Sequence, residues 1–262
     1  MTFETLAGRK ARVMRTGSGS EAVVGIHCSL GRLETLLPVV KAMGGTVQAT
    51  LFDLPGHGSS EAWDDSAEYQ LVAAKQALEL CDGPTHLIGH SFGGTVALRA
   101  ALEELSKVKR LTLIEPVFFA AAKGTPAYAQ HHASFEPFAK AWAAQDRVLA
   151  AQVFNDMWGV APWSQLPEAV RNGLTSLIHL IPVAAPSIED DITGVLASGA
   201  LEALDIPVTL ICGSQSPPIV RAIHEALCER LPNATDHVVE GAAHMLPVTH
   251  PDAVASAMMA AA

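Results

Sequence analysis

Short apolar runs separated by helical stretches constrain this chain more than any other feature. Residues 22–27 (AVVGIH), 46–52 (TVQATLF), 85–90 (THLIGH) and 110–115 (RLTLIE) are runs of the kind that form buried parallel strands. Residues 207–212 (PVTLIC) and 236–240 (DHVVE) continue the series. Residues 2–7 and 10–16 fit a hairpin turning at Gly8-Arg9. Helical stretches such as 68–81 and 92–106 fall between the runs, and roughly 251–261 suits a closing helix. Strands alternating with helices predict an α/β fold on a mostly parallel eight-stranded sheet flanked by helices.

One region departs from that rhythm. Residues 117–205 contain no good strand, and Pro126, Pro137, Pro162, Pro167, Pro182 and Pro186 mark turns between helical stretches. Three of the four tryptophans, Trp142, Trp158 and Trp163, lie there. Too long for a plain loop, the segment reads as a helical cap over one edge of the sheet. The core is then formed by residues 1–116 and 206–262.

Composition narrows the classes of partner. With 49% apolar and 17% charged residues the chain can bury a large core, and wholesale disorder is excluded. A net charge of −10 argues against nucleic acid and against anionic membrane surfaces, since both need clustered Lys and Arg. The first residues lack the apolar core of a secretory signal, and no stretch approaches the ~18 apolar residues of a membrane span. The expectation is a soluble, cytoplasmic protein with a small-molecule partner; a homodimer is left open. Cys28, Cys81, Cys212 and Cys228 show neither metal-type nor redox spacing and read as inert thiols.

The residues that carry chemistry cluster around Gly89-His90-Ser91-Phe92-Gly93-Gly94, which ends one predicted strand and opens a predicted helix. A nucleophile on so sharp a turn adopts a strained backbone, and its neighbours must be tiny for the chain to pass. The helix that starts at Phe92 aims its N–H groups at developing negative charge.

With its neighbours in order along the chain, this motif resembles the α/β-hydrolase fold superfamily over essentially the whole length. His27-Cys28-Ser29-Leu30-Gly31 follows an early strand, where those enzymes place an oxyanion loop usually beginning His-Gly. Asp53-Leu54-Pro55-Gly56-His57-Gly58-Ser59 is similar to their tight turn after the next strand. Gly241-Ala242-Ala243-His244-Met245 resembles the loop carrying their histidine base. The resemblance implies Ser91 as nucleophile, His244 as base, and the N–H groups of Phe92 and Ser29 as the oxyanion hole. Cys28 departs from the pattern by replacing the usual glycine.

A carboxylate must hold the imidazole. Most such enzymes carry it after the seventh strand in a Gly-x-x-Asp pattern, but here the loop reads Gly213-Ser214-Gln215-Ser216, with serine at the acid's place. Haloalkane dehalogenases and others take the acid from the end of the sixth strand, where this chain has Glu115. The order Ser91, Glu115, His244 agrees with that placement, and catalytic groups gather at the carboxyl ends of parallel strands. A Ser-His dyad helped by Ser216 or a water is the competing reading. Asp205 lies at the wrong end of its strand, and local spacing does not aim Glu240 at His244.

Other residues carry two readings each. His27 is a substrate-contact candidate, as are Trp142, Trp158 and Trp163, but His27 and His57 sit in turn motifs where structural hydrogen bonds are the commoner role. The tryptophans serve equally as core of the helical segment. His90 is expected to pack behind the nucleophile. Adjacent His131 and His132 face different ways on a helix and show no third ligand, so no metal and no cofactor are expected. Arg32 and Arg221 could meet a substrate carboxylate or simply pair on the surface. The expected reaction is acyl transfer to water on a small ester, thioester or lactone with an apolar acyl part. Carbon–carbon bond hydrolysis or perhydrolysis would use the same residues, and a non-catalytic ligand receptor on this fold is the reading from outside enzymology.

Overall fold

A computed structural model describes residues 2–197 and 199–260. Its strands are β1 (Thr2–Leu6), β2 (Arg9–Thr16), β3 (Glu21–Ile26), β4 (Val47–Phe52), β5 (Thr85–His90), β6 (Val108–Ile114), β7 (Val208–Gly213) and β8 (Ala234–Val239). They form one sheet in the order β1-β2-β4-β3-β5-β6-β7-β8. The pairs β1–β2 and β2–β4 are antiparallel, and all other neighbours are parallel. The expected α/β-hydrolase fold is therefore present, and every predicted strand lies within a residue or two of its place. The hairpin turns at Ala7-Gly8 rather than Gly8-Arg9. Both turn residues have positive φ (48° and 76°), the twist a two-residue turn needs to join right-twisted strands.

The helices are α1 (Leu37–Ala42), α2 (Tyr69–Glu79), α3 (Phe92–Glu103), α4 (Pro126–Ala143), α5 (Arg147–Trp158), α6 (Glu168–Leu177), α7 (Leu180–Glu189), α8 (Pro218–Cys228), α9 (Leu246–Thr249) and α10 (Pro251–Ala260). Strand side chains alternate between faces, so each strand feeds two separate cores. Val24, Leu87, Leu111 and Leu210 point to one face, where they meet α2, α3 and α8 through Ala73, Val96 and Ile223. Val23, Ile88, Ile114 and Ile211 point to the other and meet α1, α9 and α10 through Val39, Leu246 and Val254. With both faces covered, β5 and β7 are buried along their whole length, which is why they read as continuous apolar runs.

Helices α4 to α7 all lie between β6 and β7, and no strand occurs among the described residues of that segment. They enclose a third apolar cluster built on Phe138, Ala141, Ala150, Ala151, Trp163 and Ile178. Among the described residues no helix is long and apolar enough to cross a membrane.

Candidate active site

Ser91 occupies the step between β5 and α3 with φ 57° and ψ −120°, a strained conformation for a residue with a side chain. Its N–H donates to the Ile114 carbonyl at 2.9 Å, and its own carbonyl accepts from the Gly94 N–H at 2.9 Å. The glycines beside it are required by space. A Cβ on Gly93 would stand 2.2 Å from the Ile26 carbonyl oxygen, and one on Gly89 would stand 2.1 Å from that of Gly93. These approaches bring α3 hard against the sheet and lift Ser91 above the strand ends.

Ser91, His244 and Glu115 come together there. The Ser91 hydroxyl donates to His244 Nε2 at 3.0 Å, and His244 Nδ1–H donates to Glu115 Oε2 at 2.6 Å. All three are buried, Glu115 completely. The second Glu115 oxygen accepts the Gly213 N–H at 2.8 Å and the Ser216 hydroxyl. Burial alone would raise the Glu115 pKa, but His244, Ser216 and the Gly213 N–H outweigh it and hold the carboxyl below its ordinary value. Such a chain can pass the hydroxyl proton to the imidazole and stabilise the resulting cation. The serine at the place of the usual acid is thus a partner of Glu115, a role the sequence reading missed. His90 packs behind, as expected, its Nε2–H donating to the His244 carbonyl at 2.8 Å.

The two glycine-flanked loops on the other side are held by histidines that never reach the site. His27 Nδ1–H donates to the Cys28 carbonyl at 2.7 Å while its Nε2 accepts the Leu54 N–H at 2.9 Å. His57 Nε2 accepts the Leu30 N–H at 3.0 Å and its Nδ1–H donates to the Pro55 carbonyl at 3.0 Å. Both His27 nitrogens are bonded to backbone and neither is left for a substrate, contrary to one expectation, while His57 Nδ1 also lies 3.3 Å from the Tyr69 hydroxyl. Positive φ falls at Leu30 (57°), not at Cys28, which explains how cysteine replaces glycine there without strain. Burial pushes the Cys28 thiol up to about 12, leaving it unreactive.

These histidines make the fold acid-sensitive. Burial lowers His27 to about 4 and His57 to about 3, and a second ring proton would break the bond from Leu54 or Leu30. Below the ordinary value near 6.5 the unfolded chain takes up protons that the fold refuses. Stability is therefore complete above ~6.5 and falls as pH drops towards 4, by an amount on the order of a few kcal/mol. Urea unfolding at pH 7 and pH 4.5 checks this; equal midpoints would contradict it.

Two cavities meet at Ser91. One, of about 680 Å³, opens to solvent and is lined by Ser29, Ser91, Asn155, Trp158, Leu174 and His244 among others. The second, of about 60 Å³, is more enclosed and borders Ser29, Ser91, Phe119, His131 and Trp158. Trp158 lines both, its ring 4.6 Å from that of His244 in an edge-on contact. Trp142 and Trp163 border neither. Trp142, half-buried, stacks on Phe138 with Arg147 over it, and Trp163 is buried in the segment's own cluster, so neither reaches the space at Ser91. Arg32 lines the open cavity, whereas Arg221 pairs with Glu225 and Asp236. Ser29 borders both cavities, and Phe92, at the first turn of α3, has an N–H free of intrahelical bonding. His131 is buried and His132 exposed, and their rings lie edge-on at 83°. Cys212, His224 and Asp236 gather ligand-type atoms within 4.8 Å of one another, but Arg221 holds Asp236 and none of the three borders either cavity.

Comparison with known proteins agrees with this architecture. The profile of the Alpha/beta hydrolase family matches residues 23–257. The chain is 28% identical over 163 residues to the dihydrolipoyllysine-residue acetyltransferase component of the acetoin cleaving system of Cupriavidus necator, covering 59% of this chain and 44% of that protein. It is 26% identical over 245 residues to the pimeloyl-[acyl-carrier protein] methyl ester esterase of Serratia marcescens, covering 90% and 91% of the two chains. The crystal structure of an alpha/beta hydrolase from Sphaerobacter thermophilus superposes with a TM-score of 0.75 at 21% identity, covering 99% of each chain. A strained serine between strand and helix, a carboxylate after β6 and a histidine after β8 that meet at it, and a matching profile over most of the length lead to one assignment: the chain belongs to the alpha/beta hydrolase family.

Proposed function

We propose that the protein is a serine hydrolase of carboxylesterase type, acting on a small ester, thioester or lactone through an acyl-enzyme on Ser91. The observation that carries this reading is the unbroken hydrogen-bonded chain from the Ser91 hydroxyl through His244 to the ionised, buried Glu115. His244 takes the hydroxyl proton as the oxygen attacks the substrate carbonyl. The Ser29 and Phe92 N–H groups hold the oxyanion, each worth ~10²–10³ in rate by the usual cost of losing such a donor. The imidazolium then protonates the departing alcohol or thiol, and water, activated by the same imidazole, releases the acid. In this reading α4 to α7 form the cap that walls the substrate cavity.

The likeness to an esterase over nine-tenths of both chains supports ester chemistry. The intact relay weighs against a ligand receptor, in which nothing would keep a strained serine bonded to a paired histidine. Hydrolysis of p-nitrophenyl esters from acetate to decanoate tests the proposal. Turnover above the buffer rate is expected with a clear chain-length optimum, and a flat blank across the series would count against an esterase.

A further inference from the structure

The two cavities at Ser91 differ in a way that bears on which end of the substrate each receives. His244 borders the open cavity and does not border the enclosed chamber, while Ser91 and Ser29 border both. In acyl transfer the departing group must take its proton from His244, so it lies on the His244 side, in the open cavity. The acyl group stays with Ser91 and the Ser29 loop, on the other side of the tetrahedral carbon. That other side is the enclosed chamber.

The chamber sets both the length and the character of what it holds. At roughly 10–15 Å³ of probe volume per water-sized group, its 60 Å³ accommodates about four to six non-hydrogen atoms. Its walls are mostly apolar, with Phe119, Phe135, Trp158 and Ile188. One wall residue breaks that character. His131 on α4 is 6% exposed, with its ring stacked on Phe119 (4.3 Å) and Phe135 (5.7 Å). Neither ring nitrogen has a hydrogen-bond partner among the described residues. Burial holds His131 down to about 4, so at neutral pH it offers one N–H and one lone pair and no charge. Glu189 also borders the chamber, its carboxyl raised by burial and lying 3.5 Å from His132 Nε2.

We infer that the enclosed chamber is the acyl pocket, that the acyl part is short, and that His131 selects for a neutral hydroxyl or keto oxygen within it. This rests on the hydrolase reading above. A plain aliphatic acyl chain leaves the buried imidazole unpaired, whereas a hydroxyl satisfies it. The larger, more varied group is then the alcohol or thiol that leaves through the open cavity.

The test compares p-nitrophenyl butyrate, 3-hydroxybutyrate and decanoate on wild type, His131→Gln and His131→Phe, with Ser91 labelled by a fluorophosphonate in each. His131→Phe keeps the stack on Phe119 and Phe135 but has no nitrogen, and His131→Gln keeps a hydrogen-bonding end if the aromatic replacement fails to fold. Wild type should favour the hydroxy ester over butyrate by about tenfold in kcat/KM, and decanoate should be the poorest of the three. His131→Phe should abolish or invert that preference, and His131→Gln should retain part of it. A preference unaltered by His131→Phe, or decanoate turned over as well as butyrate, would overturn the assignment. So would a labelled Ser91 with no turnover of either short ester, and in that case the hydrolase reading stands without it. Failure of wild-type Ser91 to label would remove the hydrolase reading and this one together.

Discussion

Glu115→Gln lowers kcat by about 10⁴-fold while leaving the fold intact. The size of the effect follows from how the carboxylate is held. One of its oxygens accepts two hydrogen bonds, from the Gly213 N–H and the Ser216 hydroxyl, and the backbone donor cannot turn away. In the amide, the carbonyl oxygen therefore takes that place and the NH₂ faces His244 Nδ1. A donor there forces the imidazole proton onto Nε2, where Ser91 needs a lone pair. The histidine is then in the wrong tautomer and the serine hydroxyl has no acceptor. Single-turnover hydrolysis of an activated ester, with thermal unfolding beside it, measures this. A loss smaller than tenfold would mean that Glu115 does not govern the imidazole and would favour the Ser-His dyad.

Gly93→Ala destabilises the protein by about 3 kcal/mol or more, although it adds one methyl group. That methyl would lie 2.2 Å from the Ile26 carbonyl oxygen and 2.6 Å from that of His27. Both are backbone atoms of a central strand and its exit, so α3 must withdraw and carry Ser91 with it. Gly173→Ala is the matched control. It sits within α6 with nothing inside 4 Å of the added carbon, so the better helix propensity should raise stability by about 0.5–1 kcal/mol. Urea unfolding of the two variants separates the effects; similar midpoints would show that the approach of α3 to β3 is looser than its geometry.

Much of this was legible in the residues because the constraints are local. A serine between a strand and a helix, with glycine at each second neighbour, permits few other backbones, and the sheet follows from apolar runs too short for helices. Glu115 could be found by its place at a strand end, since every competing carboxylate was at the wrong end or misdirected. The rest depends on contacts far apart in sequence. Nothing local says that Ser216 turns its hydroxyl to Glu115, 101 residues earlier. Nor does it say that His27 spends Nε2 on a backbone N–H 27 residues on. Among the three tryptophans of the helical segment, periodicity cannot tell which helix face meets the sheet. Trp158 meets His244, while Trp163 lies in the segment's own core and Trp142 packs against it. His131, weighed in sequence only as half of a metal pair, gains its meaning from the chamber it borders.

The most direct measurement is active-site labelling: treat the protein with a fluorophosphonate and read the peptide carrying Ser91 by mass spectrometry. A single adduct is expected, on Ser91, and it disappears in His244→Ala because the hydroxyl then has no base. An unmodified protein, beside a known serine esterase labelled in the same tube, would contradict it, as would an adduct on any other residue.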